Sequence, residues 1–330
     1  MVVVCVIGAG AFGTAMAWLA STNGHPTRVC ARDKAQCEVI NATQHNPKYL
    51  RSARLEVKAT SDAKAALEGA EVVILCLPAQ KCVAWIRENR DRVPSDAILC
   101  STAKGLYLET KQLLSEAMAE AFGRPQRLAF LSGPSFAQYI VDGHPTAVVV
   151  ASRLLADAVA VQRLLSNPRF RVYASQDTIG VELGGALKNV LALGAGMIAG
   201  ANFGINTLAA YVTRAARELA VLCVAMGGKP ETIAGLSGIG DLMLTTFGDL
   251  SRNRACGLRL ARGERLDDIL QSSTVEGVPT AQVAVEFARR CNLDLPLIAA
   301  VNDILQAKLT PRQALDAIMT RPLGTEVPLL

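Results

Sequence analysis

The side chain best suited to proton transfer is a lysine inside an apolar stretch. Lys188 lies in the run Gly-Gly-Ala-Leu-Lys-Asn-Val-Leu, residues 184–191. Burying an unpaired ammonium group is costly, and it lowers the pKa of a lysine towards the range useful for proton transfer. Beside a carbonyl carbon that receives a hydride, such a lysine is a general acid. A lysine at the end of a core helix that extends its charge into solvent fits the same run equally well.

Two further motifs carry polar residues that could act with Lys188. Asp241 is the one acid in the apolar run Leu-Ser-Gly-Ile-Gly-Asp-Leu, residues 236–242, and could pair with or orient Lys188. Ser251 is a good helix N-cap, which puts Arg252 and Asn253 in the first turn of a helix. Cationic side chains oppose the helix dipole at that end, so an anionic ligand would explain their position.

Polar residues also follow two strand-like runs in the first half of the chain. Lys104 follows residues 97–101, and Gly133-Pro134-Ser135 follows residues 128–131. Open α/β sheets bind ligands at the carboxyl ends of their strands. The Gly-Pro-Ser run predicts a turn into a helix whose first N–H groups could hold a phosphate or a cofactor amide. Lys104 can equally be an exposed loop lysine, which is the usual place for lysines.

The start of the chain predicts a dinucleotide-binding turn. A β-branched run at residues 2–7 leads into Gly8-Ala9-Gly10-Ala11-Phe12-Gly13, and a helix-forming run follows. Gly8 permits the tight turn, Gly10 lets the backbone approach a pyrophosphate, and Gly13 lets the helix pack on the strand. The same spacing occurs in ordinary structural turns, so the prediction depends on the flanking strand and helix.

The second strand-like run ends at residues that bear on the choice of cofactor. Asp33 lies near the spacing at which an acidic residue binds the ribose hydroxyls of NAD. Arg32, directly before it, could instead pair with the 2′-phosphate of NADP or stack on the adenine. Arg32 favours NADP, and NAD stays open. A solvated Arg-Asp turn without either role is a third interpretation.

Composition narrows the classes of protein. The 330 residues are 51% apolar and 19% charged, as in a globular protein with room for two domains. The net charge of +5 is spread along the chain, with no basic block that would indicate a nucleic-acid partner. Nine cysteines without a Cys-x-x-Cys pair disfavour a zinc site and suit a reducing cytosol. We therefore expect no bound metal. We also expect no membrane insertion, because the most apolar run, residues 179–201, is interrupted by Glu182, Lys188 and Asn189.

The sequence gives no support to two other dehydrogenase chemistries, one based on histidine and one on tyrosine. His25, His45 and His144 lie in runs flanked by Gly, Asn or Pro and form no recognisable base–orienter pair. A histidine-based hydroxy-acid dehydrogenase is therefore disfavoured. We expect no tyrosine-based reductase pair either.

The elements that must position these residues change character once along the chain. Strand-like runs at residues 2–7, 27–32, 55–60, 72–77, 97–101, 128–131, 146–150 and 169–173 alternate with helical runs. This alternation predicts an open, mostly parallel sheet with helices on both faces. After residue 177 only helical patterns remain. We therefore predict an α/β dinucleotide-binding domain over residues 1–177 and an all-α, substrate-binding and catalytic domain over residues 178–330.

Seven motifs, in order, resemble those of bacterial NAD(P)-dependent glycerol-3-phosphate dehydrogenases. They are Gly-Ala-Gly-Ala-Phe-Gly-Thr-Ala from Gly8, Ala-Lys-Gly around Lys104, Gly-Pro-Ser-Phe-Ala from Gly133, Ala-Leu-Lys-Asn-Val around Lys188, Ser-Gly-Ile-Gly-Asp-Leu before and at Asp241, Ser-Arg-Asn from Ser251 and Val-Glu-Gly-Val around Glu276. The resemblance covers nearly the whole chain. It implies a Rossmann-like domain followed by a helical domain similar to that of 6-phosphogluconate dehydrogenase.

The resemblance also implies an activity and a set of site residues. The activity is reversible hydride transfer between NADPH or NADH and dihydroxyacetone phosphate, which supplies sn-glycerol 3-phosphate for phospholipid synthesis. Lys188 would be the proton donor and acceptor, and Lys104, Gly133, Ser135, Lys188, Asp241, Ser251, Arg252 and Asn253 would bind substrate. Gly8, Gly10, Ala11, Phe12, Gly13, Arg32, Lys104, Ala137, Arg252 and Glu276 would bind the cofactor. From the residues alone, Glu276 could touch the cofactor or cap a helix. Members of the family are cytoplasmic and commonly homodimeric.

Two rival functions remain open at this stage. A related dehydrogenase acting on a β-hydroxy acid or a ketopantoate-like substrate would also use a helical lysine, but it would not need Ser251, Arg252 and Asn253 for a phosphate. A non-catalytic sensor of dinucleotides would keep the fold and bind cofactor without turnover.

Overall fold

The chain forms two compact units, which we describe from a computed structural model covering residues 1–326. The N-terminal unit comprises Met1–Ala103 and Leu114–Thr178, and the C-terminal unit comprises Lys104–Leu113 and the chain from Ile179 onward. The predicted boundary differs from this division in two respects, because it gave residues 104–113 to the first domain and Thr178 to the second. Residues 327–330 of the predicted second domain lie outside the described residues.

An eight-stranded sheet forms the centre of the N-terminal unit. The strands are β1 Val4–Ile7, β2 Thr27–Cys30, β3 Lys58–Thr60, β4 Val72–Leu75, β5 Ile98–Ser101, β6 Arg127–Ser132, β7 Thr146–Ala151 and β8 Phe170–Ser175. Their order across the sheet is β3-β2-β1-β4-β5-β6-β7-β8, and every neighbouring pair is parallel except the antiparallel pair β6 and β7. The predicted mostly parallel sheet is confirmed.

Both faces of this sheet are covered. Val4 and Val6 of β1 belong to a core formed with helices on one face, while Cys5 and Ile7 point the other way and are equally buried. The connecting helices are α1 Ala11–Thr22, α2 Lys34–Thr43, α3 Ala63–Leu67, α4 Ala79–Asn89, α5 Leu114–Phe122, α6 Ala137–Val141 and α7 Leu155–Leu165. Strands buried on both faces read as continuous apolar runs, which is why the sequence identified them.

The C-terminal unit is helical over the described residues. Its helices are α8 Thr178–Gly200, α9 Ile205–Ala225, α10 Pro230–Ile233, α11 Asp241–Phe247, α12 Arg252–Ala261, α13 Leu266–Ser272, α14 Gly277–Arg290, α15 Pro296–Leu305 and α16 Pro311–Met319. A π-helical turn, Leu236–Gly240, directly precedes α11. The segment 104–113 contributes Leu106 and Leu113 to the apolar core of this unit, which explains why it does not belong to the first.

Helix α8 is the central element of the C-terminal unit, and residues 181–197 are all buried. By length and composition α8 could cross a membrane, contrary to our expectation that no run would qualify, but 83% of its most apolar window is buried inside the protein. Two glycines bring α8 and α12 into main-chain contact. A Cβ added at Gly257 would lie 1.9 Å from the Leu193 carbonyl oxygen, and one added at Gly196 would lie 2.0 Å from that of Arg254.

A buried carboxylate links α9 to the start of α15. The Glu218 side chain accepts hydrogen bonds from the backbone N–H groups of Leu297 (2.7 Å) and Ile298 (3.0 Å), which are free donors at a helix N-terminus. Burial raises the pKa of the Glu218 carboxyl to about 7, and the two N–H groups only partly oppose this effect. The Glu218 side chain therefore titrates near neutral pH while it holds α15.

We expect Glu218→Gln to flatten the pH dependence of stability between pH 4.5 and 7. Glu218 has an ordinary pKa of 4.5 and a folded pKa of about 7. The folded state therefore holds the extra proton, so this contribution to stability is complete below pH 4.5 and is lost as the pH rises through 7. Thermal unfolding across this pH range measures the slope. Glu286→Gln is the control, since the pKa of the half-buried Glu286 carboxyl is lowered to about 2 by Arg289 and Arg290 and so lies below this range. An unchanged slope in Glu218→Gln would contradict the assignment.

Candidate active site

The glycine-rich turn of the N-terminal unit has the geometry of a pyrophosphate cradle. Helix α1 starts at Ala11 with Gly10 as its N-cap, and Phe12 lies in its first turn. A Cβ added at Gly13 would lie 1.9 Å from the Gly8 carbonyl oxygen, so only glycine permits this close packing of helix on strand. By contrast, a Cβ at Gly10 would meet nothing within 4 Å. That open space at a helix N-terminus fits a pyrophosphate group.

A buried amide pair behind this turn escaped the sequence analysis. The Ala9 carbonyl accepts hydrogen bonds from Gln36 Nε2 (3.0 Å) and Asn46 Nδ2 (3.1 Å). Asn46 Nδ2 also donates to Thr14 Oγ1 at 2.7 Å, and Gln36 Nε2 donates to Asn46 Oδ1 at 3.0 Å. Asn46 is fully buried although it lies in a polar loop. Buried and fully bonded amides of this kind fix the backbone that they contact.

The remaining predicted residues of the N-terminal unit follow strands at the same edge of the sheet. Arg32 lies beyond β2 and is exposed. Gly133 follows β6 and is buried, and the Ser135 hydroxyl donates to its carbonyl oxygen at 3.0 Å. Ala137 begins α6, which has only five residues and Phe136 as its N-cap. These parallel strands end at one edge, so the predicted cofactor residues of this unit share the edge expected for a dinucleotide.

In the C-terminal unit one carboxylate holds two lysines, and we call these three residues the lysine cluster. Lys104 Nζ lies 2.6 Å from Asp241 Oδ2, and Lys188 Nζ lies 2.8 Å from Asp241 Oδ1. The side chains are 17%, 8% and 1% exposed for Lys104, Lys188 and Asp241. Lys188 lies in the middle of α8 and has buried partners, so it does not reach solvent from a helix end. Lys104 is likewise no ordinary loop lysine.

The electrostatics of the lysine cluster follow from burial and close opposite charges. Burial lowers the pKa of Lys188 to about 8; the charge of Asp241 opposes this, and those of Lys104 and Arg252 add to it. Burial also opposes ionisation of Asp241, but the two ammonium groups outweigh it and hold the pKa of that carboxyl below its usual value. Lys188 can therefore change its protonation near neutral pH while Asp241 stays ionised.

Two features that position the lysine cluster were missed. Thr245, one turn after Asp241 on α11, donates its hydroxyl to the Asp241 carbonyl at 2.7 Å and accepts from Lys188 Nζ at 2.7 Å. The π-helical turn Leu236–Gly240 sets the start of α11, and such turns are frequent at functional sites. The Thr245 contact follows from the helical spacing i, i+4, whereas no local pattern indicates the π-helical turn.

The first turn of α12 is tied to the lysine cluster by a chain of amides. Ser251 caps α12 as predicted by accepting from the Arg254 N–H at 3.2 Å. Asn253 Nδ2 donates to Asn189 Oδ1 at 2.8 Å, and Asn189 Nδ2 donates to the Lys104 carbonyl at 2.7 Å. Arg252 is exposed beside these buried side chains. The structure thus gathers Lys104, Lys188, Asp241 and the Ser251–Asn253 turn within one unit.

Glu276 lies directly before α14, as its N-cap residue, without a side-chain capping bond. The next residue, Gly277, donates its N–H to Asn253 Oδ1 at 3.0 Å. Both polar atoms of the Asn253 side chain are therefore engaged inside the protein. Because an amide nitrogen carries two hydrogens, these two bonds leave Asn253 Nδ2 one donor for an anion at this helix end.

A tyrosine–lysine spacing exists after all, but it does not form a reductase pair. Tyr107 and Lys111 have the spacing Tyr-x-x-x-Lys, contrary to our expectation. The buried Tyr107 hydroxyl donates to the Glu109 carboxylate two residues on, and Lys111 has a left-handed backbone with φ of 52°. Within residues 1–326, no group of three or more His, Cys, Asp or Glu side chains is arranged to hold a metal ion.

Known proteins match this arrangement over both units. The model of the NAD-dependent glycerol-3-phosphate dehydrogenase N-terminus matches residues 3–158, and that of the C-terminus matches residues 177–316. Glycerol-3-phosphate dehydrogenase [NAD(P)+] of Brucella canis is 43% identical over 325 residues, 98% of each chain. The chain belongs to the NAD-dependent glycerol-3-phosphate dehydrogenase family. It is an oxidoreductase of the kind that acts on CH–OH groups and uses NAD or NADP.

Solved structures agree with this family and weigh against the rival substrate. The crystal structure of glycerol-3-phosphate dehydrogenase from Coxiella burnetii has a TM-score of 0.90 and 33% identity, covering 96% of this chain and 98% of that one. A ketopantoate reductase from Ralstonia eutropha covers 94% of this chain and 99% of its own, with a TM-score of 0.58 and 14% identity, which is similarity of fold alone. The ketopantoate alternative is therefore not favoured.

We expect Asp241→Asn to destabilise the protein by about 3–5 kcal/mol, because it leaves two ammonium groups together without their buried counter-ion. Thermal or denaturant unfolding measures the loss. Asp249→Asn is the matched control: its side chain is 94% exposed and pairs with Arg254 at 3.1 Å. An exposed pair contributes about 1 kcal/mol or less. Equal effects of the two substitutions would contradict the role given to Asp241.

Proposed function

We propose that the protein catalyses reversible hydride transfer between NADPH or NADH and C2 of dihydroxyacetone phosphate, with Lys188 as general acid and base. The observation that supports this most strongly is the buried lysine cluster, where Lys188 has a pKa of about 8. A carbonyl that gains a hydride becomes an alkoxide and needs a proton at its oxygen, and a lysine with this pKa can give and take that proton near neutral pH.

The other residues of the C-terminal unit bind and orient the substrate. Asp241 holds both lysines ionically and stays charged, so it fixes the Lys188 ammonium group without competing for its proton. Lys104 supplies a second positive charge for the polar oxygens of the substrate. The phosphate binds at the first turn of α12, where Arg252 and the free N–H groups converge on an anion.

The N-terminal unit holds the cofactor, which supplies the hydride when bound. Gly8, Gly10 and Gly13 with Ala11 and Phe12 form the pyrophosphate turn, and the open space at Gly10 fits that group. Arg32 faces the adenosine end. We assign Gly133 and Ser135 to substrate and Ala137, Lys104, Arg252 and Glu276 to the cofactor from the family resemblance. The reaction supplies sn-glycerol 3-phosphate for phospholipid synthesis.

We also propose that the protein acts in the cytoplasm as a homodimer. The nine cysteines suit a reducing compartment, and burial raises the pKa of the Cys30 thiol to about 11 and that of Cys76 to about 12, which keeps both unreactive. The homodimer is what the family resemblance implies.

Lys188→Met should lower kcat by about a hundredfold or more, as the loss of a general acid does. Steady-state oxidation of NADH and NADPH with dihydroxyacetone phosphate measures it. In the wild type, reduction needs protonated Lys188, so its kcat should fall as the pH rises through about 8, and oxidation of sn-glycerol 3-phosphate should rise there.

Lys308→Met is the matched control, because the Lys308 side chain is 61% exposed and pairs only with Asp303 among the described charged groups. It should leave kcat unchanged. A wild-type protein that binds cofactor and shows no turnover would instead support the non-catalytic sensor.

Arg252→Ala should raise KM for dihydroxyacetone phosphate about tenfold or more, because a charge-assisted bond to phosphate contributes about 1.5–3 kcal/mol. Turnover of unphosphorylated dihydroxyacetone, measured in parallel at saturating cofactor because Arg252 is also assigned to the cofactor, should change little. Arg262→Ala, at the other end of α12 and exposed, is the control. If KM for the phosphorylated substrate stayed the same, the phosphate site would lie elsewhere.

A further inference from the structure

The acidic residue expected to hold the ribose of NAD is already engaged by the protein. Asp33 caps α2, with its Oδ1 accepting from the Gln36 N–H at 3.2 Å. Its Oδ2 accepts from Lys48 Nζ at 2.6 Å. The bond with Lys48, which has the larger effect, and the bond with the Gln36 N–H hold the pKa of the Asp33 carboxyl below its usual value. Asp33 is therefore a paired carboxylate rather than one left open for two ribose hydroxyls.

Lys48 is held in place by the same buried amide that supports the glycine-rich turn. The backbone N–H of Lys48 donates to Asn46 Oδ1 at 3.0 Å, and that of Tyr49 donates to the same oxygen at 3.3 Å. Asn46 also contacts the Ala9 carbonyl of the turn. The Lys48 backbone is thus fixed relative to the glycine-rich turn, and its side chain, 53% exposed, reaches Asp33 from there.

The charges at this corner favour an additional phosphate. Arg32, directly beyond β2, and Lys48 carry two positive charges against the single negative charge of Asp33. A phosphate monoester carries about −1.5 to −2 charges near neutral pH, so a lone carboxylate would repel it. A paired carboxylate repels it much less and leaves Arg32 available for bidentate contact.

We propose that Lys48 is a positioning residue that determines cofactor specificity: by pairing with Asp33, it lets the corner beside Arg32 accept the 2′-phosphate of NADP. This deepens the proposed function, on which it rests, by naming the cofactor class that the adenosine end accepts. Lys48 acts through Asp33. Without Lys48, the Asp33 carboxylate is released to bind ribose hydroxyls and to repel the 2′-phosphate, which favours NAD.

The test substitutes Lys48 and Asp33 singly and together and measures how well each variant distinguishes NADP-type from NAD-type nucleotides. Calorimetry measures binding of 2′-phospho-ADP-ribose and ADP-ribose to the full chain without substrate, and kcat/KM is measured for NADPH and NADH. Lys48→Met should lower both ratios, phosphorylated over unphosphorylated, about tenfold, the equivalent of about 1.4 kcal/mol. Asp33→Asn keeps the helix cap, because asparagine is a good N-cap, and removes the charge. In the Asp33→Asn background, Lys48→Met should change the ratios less than about twofold, since the two residues act through one contact.

Lys64→Met removes a charge from an exposed position on α3 and should leave both ratios unchanged. General destabilisation lowers binding of both nucleotides and does not move their ratio. The proposal is overturned if Lys48→Met leaves the ratios unchanged, or if it lowers them equally with and without the Asp33 carboxylate. The second result would make Lys48 a direct ligand of the phosphate. Since the binding arm needs no turnover, absence of dehydrogenase activity would count against the proposed function alone.

Discussion

A buried carboxylate between two ammonium groups is the interaction on which the C-terminal unit depends. Asp241 could not remain charged at 1% exposure without Lys104 and Lys188, and neither lysine could lie so deep without Asp241. The charges in this cluster affect the carboxylate and the ammonium groups unequally. Two cations stabilise one anion strongly, while each cation shares one anion and repels the other. Asp241 therefore stays ionised, whereas burial, helped by repulsion from Lys104, lowers the pKa of Lys188 to about 8.

Buried amides perform the same task in both units, which is to fix a stretch of backbone that must meet a ligand. In the N-terminal unit Gln36 and Asn46 hold the Ala9 carbonyl of the glycine-rich turn. In the C-terminal unit Asn253 and Asn189 lead from the first turn of α12 to the Lys104 carbonyl. An amide offers a donor and an acceptor without a net charge, so it can order a loop without adding a charge to the site. The charges are left to the residues that contact ligands.

The sequence predicted the features that local patterns encode. Continuous apolar runs indicated the strands, the glycine spacing indicated the tight turn before α1, and Ser251 indicated the start of α12, because each depends on neighbours in the chain. The contacts of Asn46, the π-helical turn before Asp241 and the membership of residues 104–113 in the C-terminal unit depend on distant partners. Lys188 lies between these cases. Its run fitted a buried lysine and a solvent-reaching lysine equally well, and its counter-ion, 53 residues away, was only a hypothesis.

The glycine contact between α8 and α12 fixes the distance between two helices that carry proposed site residues. Lys188 is borne by α8 and Arg252 by α12, and these helices meet through main-chain atoms at Gly196 and Gly257. Their separation is therefore set by backbone dimensions, and any side chain added at Gly196 or Gly257 would push the helices apart. In the proposed complex, this helix separation would have to match the distance between the carbonyl and the phosphate of the substrate. If Lys188 and Arg252 hold the two ends of the substrate as proposed, a longer sugar phosphate would have to bend or leave one end unbound.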